Sequence, residues 1–103
     1  MIDPDQCENM IEVRAGVDET DRALSRLLAR RFAFMDAAAR IKPDRALVRD
    51  EARKAQVVAN IAARAAADGW PPQVAALLWE HLVEASIAYE FERFDDIRTS
   101  DAG

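Results

Sequence analysis

Cysteine and histidine are almost missing from this chain. Cys7 is the sole cysteine and His81 the sole histidine, so an intrachain disulfide is excluded and the usual ligands of a transition-metal cluster are too few. A single thiol suits a reducing compartment. Glycine and proline are nearly as sparse, at three and four residues in 103, which leaves few points where the backbone would turn sharply. No apolar run approaches the roughly 20 residues that a transmembrane helix needs, and the stretch MIDPDQCENM carries acids where a secretory signal carries cations. Cations are also the minority charge, with 14 Lys and Arg against 19 Asp and Glu and a net charge of −5. That balance argues against a nucleic-acid binder, whose affinity needs a clustered basic face. The expectation is a cytoplasmic globular protein of one domain, in a size range where a single core gives modest stability unless an oligomer adds to it.

What is abundant is helix former. Between the sparse breaks Ala, Leu, Arg and Glu dominate, and nothing alternates with a period of two. Pro43 follows Lys42, while DGWPP at 68–72 joins a helix-stopping glycine to two prolines suited to opening the next helix. The pattern predicts an all-α fold of three helices over 8–42, 49–67 and 72–97. A single helical domain is expected over 7–97, with 1–6 and 98–103 as flexible tails, the second ending the polar stretch DDIRTSDAG.

The first helix carries most of the information. Cys7, Met10, Arg14, Val17, Asp21, Leu24, Leu28, Arg31, Met35, Ala38 and Lys42 follow at alternating spacings of three and four, a coiled-coil-like seam. A helix of about 35 residues is about 52 Å long, about twice the width of a compact domain this small. Two shorter helices cannot cover it, so a second copy is required, and an intertwined homodimer is the simplest closed solution. Gly16 inside this helix costs about 1 kcal/mol relative to alanine, tolerable where packing holds the helix.

Cations on that seam need company. Arg31 and Lys42 lie within about 20° of each other around the helix and about 16 Å apart along it, near enough to converge on one ligand. Arg14 stands about 25 Å from Arg31 by the same rise, so it joins such a site only from the partner chain. One seam arginine commonly snorkels to the edge or pairs with an acid such as Asp21. Three seam cations, with Arg53 on helix 2 one turn after Asp50, exceed the inward acids available, and anionic ligand groups would neutralise them. On helix 3, Ser86 and Glu90 stand four residues apart among Val74, Leu77, Leu78, Leu82, Ile87 and Phe91, the residues expected on its buried side. Ser86 could equally bond to the preceding turn. Trp70 and Trp79 read as packing residues, and His81 as surface or interface.

The pieces VRAGVDETDRALSRLLARR, AAARIK, VRDEAR and EASIAYE resemble the all-helical class of chorismate mutase and the related isochorismate pyruvate lyases. The order and spacing of Arg14, Arg31, Lys42, Asp50, Arg53, Ser86 and position 90 carry the likeness. It implies three-helix chains whose long first helices cross in an intertwined dimer with shared sites, and rearrangement of the dianion chorismate to prephenate with no cofactor or metal. It further implies that Arg31 and the partner's Arg14 hold carboxylates, and that Lys42 reaches the ether oxygen and a carboxylate. Arg53 would add positive charge, Ser86 would donate to a carboxylate, and Asp50 would lie near the ring hydroxyl. Two positions depart from the common pattern. Glu90 replaces a glutamine facing the ether oxygen, and serves there only in its protonated form; Lys54 replaces a glutamate that meets the ring hydroxyl. Isochorismate pyruvate lyase, and a non-catalytic helical dimerisation module whose charges fix register, are the alternatives.

Overall fold

The computed structural model describes the backbone of residues 2–102 and the side chains of residues 2–100. Its long elements are α1 (Met10–Ile41), α2 (Glu51–Asp68) and α3 (Pro72–Ala102), with 3-10 turns at Pro4–Gln6 and Arg45–Leu47. Among the described residues there is no strand, in keeping with the missing period of two. The fold is therefore all-α with three main helices. Between Phe34 and Met35 the chain divides into two compact units.

In the first unit, Asn9 and Glu12 start α1 by a reciprocal capping arrangement. Asn9 Oδ1 accepts from the Glu12 amide at 3.0 Å, and Glu12 Oε2 accepts from the Glu8 amide at 3.3 Å. The preceding residues lie back along the helix. The Ile2 amide donates to Glu19 Oε1 at 3.4 Å, and a methyl group on Gly16 would meet Ile2 Cγ2 at 3.4 Å. That is an ordinary van der Waals contact, so packing against Ile2 leaves room for an alanine at this position. A groove of about 260 Å³ runs beside it, walled by Ile2, Cys7, Val13 and Val17 among others. None of the described residues in this unit is buried, and Met10, Val17, Leu24 and Leu27 expose 56, 53, 48 and 63% of their surface.

The second unit holds the core. The Lys42 amide closes the last turn of α1 on the Ala38 carbonyl at 2.9 Å, and Pro43, which has no N–H, ends the ladder. Asp44 caps the Arg45–Leu47 turn through the Ala46 amide at 2.9 Å. Asp50 then caps α2 by accepting from the Arg53 amide at 2.9 Å. Gly69 terminates α2 at φ 86°, a left-handed conformation natural to glycine, with its amide on the Ala65 carbonyl. Helices α2 and α3 pack together. Ala39, Val48, Val83, Ile87 and Phe94 form the buried cluster, with Val57, Trp79, Phe91 and Ile97 against it.

Two expectations are corrected here. Helix α3 does not end at residue 97 but runs to Ala102, because no glycine or proline stands between Gln73 and Ala102 and Arg98 finds partners on α1. Val74, Leu77 and Leu78 are exposed rather than buried; the buried stripe of α3 runs instead through Val83, Ser86, Ile87, Glu90 and Phe94.

Candidate active site

Lys42 and Glu90, both singled out from sequence, meet where α1 ends against α3, and Ser86 lies one turn before Glu90. Lys42 Nζ lies 2.7 Å from Glu90 Oε2 and 3.4 Å from the Val48 carbonyl. Glu90 is only 4% exposed and Ser86, one turn earlier, 3%. Both acceptor and donor are satisfied there: Ser86 Oγ donates to the Leu82 carbonyl at 2.6 Å, and no buried side-chain polar atom among the described residues is without a partner. A buried carboxylate is tolerable only beside a cation, and Lys42 supplies it. An ammonium has three donors, so Lys42 can turn one toward a ligand while keeping its protein contacts.

Asp50 and Arg53 stand at the start of α2, both exposed. Their link runs from the Arg53 amide to the Asp50 carboxylate, and the Arg53 guanidinium donates to Gln56 Oε1 at 2.6 Å. Asp50 therefore has a structural task that its expected role at a ring hydroxyl did not anticipate. Lys54 is engaged elsewhere, with its ammonium 2.7 Å from Glu80 and 3.2 Å from Glu84. Arg49 also meets Glu84 through two nitrogens, each at 3.1 Å. The Glu80 and Glu84 hydrogen bonds raise the Lys54 pKa above its ordinary value. Arg49, then Lys54, hold the Glu84 carboxyl below the usual 4.5. The departure at position 54 thus serves a clamp between α2 and α3.

Arg14 and Arg31 belong to the first unit, on α1. Arg14 is exposed and Arg31 half-buried.

A further group around the Lys42 segment went unnoticed in the sequence. Arg98 donates from Nη1 to the Ala39 carbonyl and from Nη2 to the Lys42 carbonyl, with its guanidinium 3.6 Å from the centroid of the Phe94 ring. Ser86, Glu90, Phe94 and Arg98 follow at four-residue spacing along one stripe of α3. The Phe94–Arg98 spacing was the available signal, hidden by the polar composition around it. Nearby, the Tyr89 hydroxyl donates to Asp36 Oδ1 at 2.7 Å and Arg93 Nε to the same oxygen at 3.1 Å. The bond to Asp36 raises the Tyr89 pKa above its ordinary value.

No helix among the described residues is long and apolar enough to cross a membrane. Comparison with curated proteins gave no match. The family model for chorismate mutase type II matches residues 13–91, a span that begins just before Arg14 and ends just after Glu90. That match covers most of the chain and agrees with its helical architecture, and on it the chain belongs to the chorismate mutase type II family.

Proposed function

We propose that the chain converts chorismate to prephenate as an intertwined homodimer. The observation that carries this reading is the family match over residues 13–91, whose span includes every one of the seven site residues. The family is one of isomerases acting on chorismate. In the reaction the enolpyruvyl arm folds over the ring, a carbon–carbon bond forms as the ether carbon–oxygen bond breaks, and no atom enters or leaves. Catalysis then reduces to holding the folded conformer and stabilising the negative charge that grows on the ether oxygen.

In this reading Arg31 and Arg14 of the partner subunit grip the two carboxylates, for which forked guanidinium donors are well shaped. Lys42 reaches the ether oxygen and a carboxylate. Protonated Glu90 donates to the same ether oxygen, and the bound dianion replaces Glu90 as the countercharge of Lys42. Ser86 donates to a carboxylate, Arg53 adds positive potential, and Asp50 lies near the ring hydroxyl. The apolar surface that α1 exposes at Met10, Val17, Leu24 and Leu28 supports a second copy as its cover.

The direct test is to incubate the purified protein separately with chorismate and with isochorismate. Prephenate from the first is the expected result. Pyruvate with salicylate from the second, without prephenate from the first, would replace the mutase by the lyase. No turnover of either would leave a dimerisation module.

A further inference from the structure

We propose that Arg98 is a positioning residue for Lys42, holding the end of α1 so that the Lys42 ammonium stays aimed at the substrate position beside Glu90. The inference rests on the role given above to Lys42 and extends the working part of the chain beyond the residues matched by the family model, which stop at 91.

The last turn of a helix leaves carbonyls with no amide to accept from. At the end of α1, Ala39 is fully buried, so water cannot easily serve its carbonyl. Pro43 has no N–H with which to serve that carbonyl as the next rung of the ladder, and the Lys42 carbonyl lies past the end of α1 at Ile41. Arg98 takes both with one guanidinium. A planar fork that spans two acceptors fixes their separation and orientation, which a point charge does not. The fork is itself braced by the Phe94 ring at 3.6 Å, and Phe94 belongs to the buried cluster.

Lys42 is consequently fixed from several sides. Its amide is held by Ala38, its carbonyl by Arg98, and its ammonium by Glu90 and Val48. The ammonium has a third donor to turn toward a substrate, and the backbone grip does not depend on where that donor points. A long lysine stem has many rotamers, and the Arg98 bond fixes the backbone point from which they extend. Arg45 offers a built-in comparison: it anchors the following turn to α3 through Asp95 at 2.9 Å and the Phe91 ring at 4.5 Å, away from the Lys42 carbonyl that Arg98 holds.

The test compares wild type with R98M, R98K and R45M. R98M keeps an unbranched stem over Phe94 without donors, and R98K restores one donor group. With chorismate, R98M should lose about tenfold in kcat with little change in KM, since small misplacements of a catalytic group are costly; R98K should recover part of it, and R45M should stay near wild type. Lys42 and Lys54 are the only lysines, so 15N-lysine labelling gives two side-chain ammonium signals by NMR. In R98M the Lys42 signal should broaden and exchange faster with water, while Lys54 is unchanged. Wild-type kcat in R98M, or equal losses in R98M and R45M, would overturn the inference while leaving the mutase reading intact. If the wild type turns over no chorismate, that reading fails by itself, and an unaltered Lys42 signal in R98M would then overturn the positioning role independently.

Discussion

Lys42 and Glu90 neutralise each other across 2.7 Å, yet in the proposed chemistry they act as two donors to one oxygen. The proton on Glu90 decides between those arrangements. Ionised, the carboxylate repels charge growing on the ether oxygen; protonated, it donates to it. Glu90→Gln, a donor in every state, should therefore retain or raise kcat/KM. Loss of activity in Glu90→Gln would show that donation to the ether oxygen is not the task of this residue. Lys42→Met should lower kcat by about 10²–10³-fold, the usual loss when one donor to a developing oxyanion is removed. The Lys42–Glu90 meeting was partly legible in advance, because helical spacing turned both residues inward. Arg98 was not, since its partners are backbone carbonyls that every residue carries and that leave no mark in a sequence.

The helix boundaries show the same division. The break at Pro43 and the glycine stop at 69 could be read directly, each being a residue whose chemistry forbids or permits one backbone state. The start of α2 could be placed only to within a residue or two, and the continuation of α3 past 97 was masked by polar composition although its tertiary contacts favour helix. Asp50 allows its two tasks to be separated. Asp50→Ala should cost about 1 kcal/mol through the lost cap, visible as a lower Tm, while Asp50→Asn retains a good cap. If Asn raises KM without lowering Tm, Asp50 also meets the ligand; unchanged kinetics would confine it to capping. The clamp between α2 and α3 makes a pH prediction of its own. Because the Glu84 carboxyl is held below its usual 4.5, the folded chain binds that proton less readily than the unfolded chain. The stabilisation is thus present above 4.5 and lost as pH falls through the lower folded value. Glu84→Gln should shrink the drop in Tm between about pH 6 and about pH 3, and an undiminished drop would show that the clamp contributes nothing.

Helix α1 buries only Ala39, and the remainder of its apolar stripe sets the expectation for the complete molecule. A dimer should appear by sedimentation, and Leu24→Glu should dissociate it; a wild-type monomer at micromolar concentration would argue against shared sites. A stricter check mixes Arg14→Ala with Arg31→Ala protein after joint refolding. If the partner subunit supplies Arg14, half of a random mixture is heterodimer with one intact site, so about a quarter of wild-type activity should return. No recovery would place both arginines in the same chain's site. The seam alone leads to the expectation of a second copy, but not to which side chain would cross to which site, because helical spacing fixes angles within one helix and says nothing about a neighbour's. The stripe Ser86, Glu90, Phe94 and Arg98 carries one last consequence. Its members act together only while they remain in phase, so one residue inserted between Glu90 and Phe94 would rotate everything downstream by about 100°. Glu90 would keep Lys42 while Phe94 and Arg98 swung away. This part of α3 should accept many substitutions of its exposed residues and almost no change in length.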